Sequence, residues 1–312
     1  MNNKVKGYLL GAVAAASYGT NPLFALPLYA EGFSPDSVLF FRYLFALPIL
    51  AFMLKWRGHS FRITRADLVP LVILGLIFAL SSLSLFQSYN YMDAGIASTI
   101  LFVYPIMVAV IMAMFFHEKL TIQTMLCLLM AIGGIGLLYQ NEDGATLSFV
   151  GTMIVFLSSL SYAIYIVAIN KTRLHDMVTL KVTFYVVLFG WFLFAGRTLI
   201  SGELQVPQST DWWLWGNLIA LAVMPTAISL LCTTGAIQYI GSTPTAILGA
   251  LEPVTAVFFG ITVFGEQLTM RSTLGLILII VAVTIVVAGG GITKHLVRFR
   301  KLFPRIIKKV KK

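Results

Sequence analysis

Charge is scarce in this 312-residue sequence. Only 11% of its residues are Asp, Glu, Lys or Arg, less than half the roughly 25% of a soluble domain. Such a chain cannot coat a water-soluble globule, and with 59% apolar residues it reads as a polytopic membrane protein. Cysteine is rarer still. Cys127 and Cys232 sit inside apolar runs without metal-ligand neighbours, which excludes a disulfide framework or a zinc site and leaves packing. The four histidines (His59, His117, His175 and His295) fall in breaks between apolar runs or near the C-terminus. There is no His-Glu-x-x-His spacing, no G-x-x-x-x-G-K-[ST] loop and no aspartate deep in an apolar run. A membrane-embedded protease, a lipid transferase or an ATP-driven pump needs one of these, so the chain is not read as an enzyme.

What the sequence has instead is apolar length. Ten runs come near the 20 residues that cross a bilayer: about 7–29, 35–54, 68–89, 94–116, 122–139, 148–170, 179–200, 212–236, 242–264 and 272–290. The first joins a polytopic pattern and is too long for a cleaved secretory signal. Placing the N-terminus in the cytoplasm puts 19 of the 22 Lys and Arg inside, leaves Arg197 and Arg271 outside, and leaves Arg42 within the second run. That is the positive-inside bias, with both termini cytoplasmic. The formal charge of +10 owes much to the tail, where nine Lys and Arg follow residue 293. This distribution argues against a nucleic-acid partner. Residues 291–312 read as a basic cytoplasmic segment lying on anionic lipid.

The chain is also written twice. A shift of 148 residues carries Tyr91 onto Tyr239, Pro105 onto Pro253, Glu118 onto Glu266 and Leu120–Thr121 onto Leu268–Thr269 without a gap. A shift of 144 pairs Ser17–Tyr18 with Ser161–Tyr162. Five runs per copy is an odd number, so the second copy enters upside down. The expected fold is all-α and integral to the membrane: two inverted five-helix repeats, 7–140 and 146–290, around a central cavity. Inverted repeats of this kind are the plan of secondary transporters.

The stretches "LEPVTAVFFGITVFGEQLTMRSTLGLILIIVAVTIVV" (251–287) and "VYPIMVAVIMAMFFHEKLTIQTMLCLLMAIGGIGLL" (103–138) carry a resemblance. With Glu-Pro near the start and Gly-Glu at the end of the second-repeat segment, the chain resembles the EamA-type branch of the drug/metabolite transporter superfamily. The first-repeat counterpart has His117 where glycine is usual. The arginine of "FFRYLFALP" fits the same pattern, and the resemblance spans about residues 7–290. It implies a ten-helix exporter with a central cavity and both termini cytoplasmic. The inner membrane is the expected location, and no cofactor is expected, with proton coupling open. The superfamily's cargo runs from amino acids and metabolites to nucleotide precursors and toxic amines. A monomer and a dimer both remain open.

Glu252 is the one acid placed deep within a run, about 15 Å from the inner end at 1.5 Å per residue. It either binds a substrate ammonium or a proton, or satisfies a kinked backbone and a buried cation. Arg42 either meets a substrate carboxylate or serves internally, with Glu252 one geometrically possible partner. Tyr104–Pro105 is the repeat counterpart of Glu252–Pro253, and Asn21–Pro22 interrupts the first run in the same way. Pro22, Pro105 and Pro253 are therefore expected helix kinks. Tyr18, Asn21, Gln87 and Tyr104 complete the candidate substrate-binding set. The amides of Asn21 and Gln87 need partners in an apolar setting. One acid, one base and several amides suit a small zwitterion, amino acids first. A small-cation pump, a nucleotide-sugar carrier and a scaffold are the alternatives.

Overall fold

The computed structural model describes residues 2–92, 94–118, 122–138, 148–264, 270–271, 273–275, 277–282 and 285. Every regular element among them is helical. Glu266, the Leu268–Thr269 pairing, the loop 140–145 and the basic tail lie outside the described residues.

The helices begin and end where the sequence supplies caps. α1 (Asn3–Tyr18) starts behind Asn2, whose side chain accepts from the Lys4 N–H. α2 (Asn21–Ala30) and α3 (Pro35–Trp56) each carry proline in the first turn, where a missing N–H costs nothing. α4 (Arg65–Ser88) is unbroken, whereas the next run is split into α5 (Ala94–Leu101) and α6 (Tyr104–Phe116). α7 (Ile122–Leu138) follows, then α8 (Phe149–Lys171), capped by Ser148, and α9 (Thr179–Ser201), closed by Gly202 at φ 69°. The following run is α10 (Trp212–Leu221), a π-helical stretch over 222–228, and α11 (Ser229–Ile240). Finally α12 (Ser242–Leu248) and α13 (Leu251–Phe264) are split like α5 and α6.

Among the described residues six helices are long and apolar enough to cross a membrane: Asn3–Ala30, Pro35–Trp56, Arg65–Ser88, Phe149–Lys171, Thr179–Ser201 and Trp212–Ile240. Tyr104–Phe116, Met125–Gly134 and Thr273–Ala282 are shorter apolar helices. This is a multi-pass membrane protein.

Contacts define two faces. On the face that holds the N-terminus, Lys6 Nζ donates to the Tyr239 hydroxyl at 2.8 Å, and Gln238 ties the end of α11 to Met177 and Thr179. Lys181 reaches the Arg62 carbonyl on the same face. On the opposite face Arg197 forms a bidentate pair with Asp36 at 2.6 and 3.1 Å. Within the bundle, α1 packs along α11, α4 against α8 and α9, and α3 against α9. Small residues allow this closeness. A Cβ added at Gly7 would stand 2.6 Å from Ile240, and one at Gly75 would stand 2.9 Å from the Val186 carbonyl.

Candidate functional site

Prolines inside an apolar bundle fix where the backbone opens, because each denies a donor to the carbonyl four residues back. Four such carbonyls can be traced. Pro105 strips Leu101, whose carbonyl takes the Ser159 hydroxyl at 3.0 Å. Pro253 strips Gly249, which takes the Glu252 N–H at 2.8 Å. Pro225 strips Leu221, which takes the Thr226 hydroxyl at 2.8 Å. Pro22 strips Tyr18, and among the described residues no hydrogen bond takes its place.

Three of these openings converge. The α1/α2 break brings Gly19 against α13, where an added Cβ would lie 2.5 Å from the Glu252 carbonyl oxygen. The α5/α6 break presents Tyr104, whose hydroxyl sits on Gly249 in the α12/α13 break. Tyr104 and Glu252 also line one cavity together. The residues paired by the two sequence shifts thus meet in space: Tyr104 with Glu252, and Tyr18 with Tyr162, whose rings stack at 6.0 Å and 10°. Tyr104 packs edge-on against Tyr162 at 4.8 Å.

Two small cavities flank this junction. The one nearer the N-terminal face is lined by Gly11, Tyr104, Tyr162, Thr233, Thr245 and Glu252, among others. The one toward the opposite face is lined by Tyr18, Asn21, Pro22, Tyr89, Ser98 and Glu252. Glu252 is the one residue common to both. Each cavity has room on the order of one or two water molecules.

Arg42 stands apart from Glu252. It is fully buried (0% exposed), its Nε donates to Thr226 Oγ1 at 2.5 Å, and one Nη donates to the Pro225 carbonyl at 3.2 Å. Its guanidinium lies over Phe86 at 5.3 Å and Tyr18 at 6.0 Å, and the remaining Nη1 has no partner. The π-helix explains this reception, since its extra residue and Pro225 turn carbonyls and the Thr226 hydroxyl inward. Arg42 and Glu252 form no ion pair, so the pairing left open by the sequence is not made. Asn21 is 2% exposed and both its amide atoms lack a hydrogen-bond partner.

Tyr18, Asn21, Tyr104 and Glu252 are therefore brought together, with Arg42 behind the Tyr18 ring. Gln87 is not. It lines neither cavity, because Leu85 and Tyr89 share the cavity face of α4 and a residue midway between them points to the far side. Pro22 lines the outer cavity, and Pro105 and Pro253 sit in the first turns after their breaks. Sequence reasoning missed Thr226, Pro225 and Tyr162 as site residues. The proline of "MPTAIS" lies within the π-helix, and the 144-residue shift had already paired Tyr162 with Tyr18.

The description "EamA-like transporter family" matches this chain twice, over residues 5–140 and 149–288. An uncharacterized transporter of Archaeoglobus fulgidus is 28% identical over 250 residues, covering 80% of this chain and 85% of that protein. An uncharacterized transporter of Synechocystis is 29% identical over 241 residues, covering 68% and 70%. The uncharacterized transporter YcbK of Bacillus subtilis is 24% identical over 275 residues, covering 86% and 87%. A protein crystal structure superposes with a TM-score of 0.75 at 16% identity, over 93% of this chain and 98% of that one. It speaks for the fold alone.

Proposed function

This chain belongs to the EamA-like transporter family of the drug/metabolite transporter superfamily, and on that premise we propose that it exports small zwitterionic metabolites, amino acids first, across the inner membrane. Ten spans in two inverted repeats, with both termini cytoplasmic, form the scaffold of this reading. The tail beyond residue 290 rests on anionic lipid. The observation that carries the reading is Glu252, placed at the meeting of three helix breaks and shared by cavities that face opposite sides. A carboxylate common to both half-channels is the natural place for a cargo ammonium, or an exchanging proton, to change sides in alternating access. Arg42 lines neither cavity, and its unpartnered Nη1 behind the Tyr18 ring is the complementary group that a cargo carboxylate reaches once that ring moves.

A second reading is small-cation efflux. It is favoured by the lack of a cationic partner for Glu252 among the described residues, and the Arg42 charge opposes it.

Release from proteoliposomes loaded with a mixed metabolite pool, read by mass spectrometry, tests both. Selective loss of amino acids that disappears in Glu252→Gln supports the first. Selective loss of organic amines supports the second. Unchanged release by Glu252→Gln across acidic and neutral pH would remove Glu252 from the mechanism.

A further inference from the structure

We propose that the cavity on the side of Glu252 away from the N-terminal face is a binding site for one desolvated monovalent cation, sodium first. Its lining includes four residues that carry side-chain oxygens, drawn from four segments: Glu252, Asn21, Ser98 and Tyr89. Tyr18 lines the same cavity, and its carbonyl, stripped by Pro22, has no other donor among the described residues. Hard cations take oxygen ligands, and carbonyls freed where a transmembrane helix is broken coordinate sodium in other transporter architectures. α1 ends at Tyr18, so the negative end of its dipole also faces the cavity.

Asn21 points to a ligand independently of the others. Its side chain is 98% buried by the same measure that leaves it 2% exposed, and neither amide atom has a partner. A carboxamide left unmet in an apolar bundle is costly, and an ion at its oxygen would meet the need. Size and charge narrow the occupant. A space for one or two waters admits a bare ion and excludes a metabolite. The described residues hold no cluster of three acidic, His or Cys ligands, so one carboxylate balances one positive charge. Arg42 does not enter the cavity, being held by Thr226 and Pro225 behind the Tyr18 ring. The twin cavity on the other side of Glu252 has hydroxyls but no unpartnered amide, which makes the pair asymmetric.

The site stands on its own geometry; that the ion drives transport rests on the function proposed above. Thermal unfolding of the purified full chain, in sodium, potassium and choline chloride at equal ionic strength, tests the site directly. The expected result is a saturable, sodium-specific rise of the midpoint by about 3 °C at tenfold excess over the dissociation constant. Asn21→Leu keeps the volume and removes the unmet groups. It is expected to hold its midpoint in choline and to lose the sodium increment, and Ser98→Ala is expected to weaken the increment. Equal midpoints in the three salts would overturn the site. So would an Asn21→Leu protein that keeps the increment, or one that loses stability equally in all three salts, as a purely structural asparagine would. A sodium increment without release of any metabolite would instead count against the proposed function and leave the site standing.

Discussion

Arg42 and Thr226 are joined by a 2.5 Å hydrogen bond from the guanidinium Nε to the hydroxyl, across 184 residues of chain. The same hydroxyl donates to the Leu221 carbonyl, to which Pro225 offers no N–H. One small side chain thus serves a helix irregularity and a buried cation together. A buried cation left short of acceptors is strongly unfavourable.

Replacing the hydroxyl by a methyl group of the same shape isolates that double service. Thr226→Val strips an acceptor from Arg42 and a donor from Leu221, and it is expected to destabilise the protein by about 2–4 kcal/mol. Arg42→Met in the same background removes the charge that needs the acceptor and should recover much of the loss. Unfolding midpoints of the two single variants and the double variant give the coupling directly. Simple additivity would show that the 2.5 Å contact carries no energy of its own.

Gly249 and Tyr104 make a second interlock. The Tyr104 hydroxyl occupies the space a Cβ at 249 would need, so Gly249→Ala forces either the ring or the α12/α13 break to move. Overpacking of this kind costs about 1–3 kcal/mol. Tyr104→Phe removes the clashing oxygen and is expected to relieve part of the cost in the double variant. If Gly249→Ala is neutral in thermal unfolding, the two helix breaks do not interlock as described.

Much of this centre was legible in the sequence, and the reasons are local. Pro22, Pro105 and Pro253 announce their breaks because a missing N–H acts within one turn. The 148-residue shift also brings the two breaks nearly into register, carrying the interruption at 102–103 onto 250–251, one residue from the break at 249–250. What could not be read were facts of long-range packing. Nothing near Arg42 in sequence names Thr226 as its partner, and an isolated "MPTAIS" does not say whether the proline kinks the helix or widens it into a π turn. Gln87 shows the converse limit. Its polarity suggested a cavity wall, but which side of α4 faces the cavity depends on where α1 and α5 pack.

His117 is a case where the departure from the family pattern acquires a physical cost. It closes α6 at φ 52°, ψ 29°, the only non-glycine residue with positive φ among the described ones. A left-handed helix cap suits glycine, since a side chain there crowds the following carbonyl by about 1–2 kcal/mol. The imidazole is exposed and at the bundle's edge. His117→Gly is therefore expected to raise stability by about 1 kcal/mol, less the extra freedom glycine brings to the unfolded chain. A lower unfolding midpoint would mean that the imidazole makes a compensating contact.

Polar contacts tie the connections together on the face opposite the N-terminus. Gln205 accepts from the Ser34 N–H at 2.5 Å, donates to the Gly32 carbonyl at 2.9 Å, and its own N–H reaches Ser37 at 3.0 Å. With the Arg197–Asp36 pair, it straps the connection after α9 over the α2–α3 turn, above the cavity that holds Asn21. Exposed ion pairs contribute less than about 1 kcal/mol, so Asp36→Asn should hardly change the unfolding midpoint. If the proposed exporter opens the cavity toward that face, the strap is expected to release with it, so weakening the strap should shift the balance of states without touching the site. A cysteine placed at Ser98 reports on this. In the Gln205→Ala background it should react severalfold faster with a membrane-impermeant maleimide applied to that face. Equal labelling rates with and without Gln205 would mean that the strap follows the motion instead of restraining it.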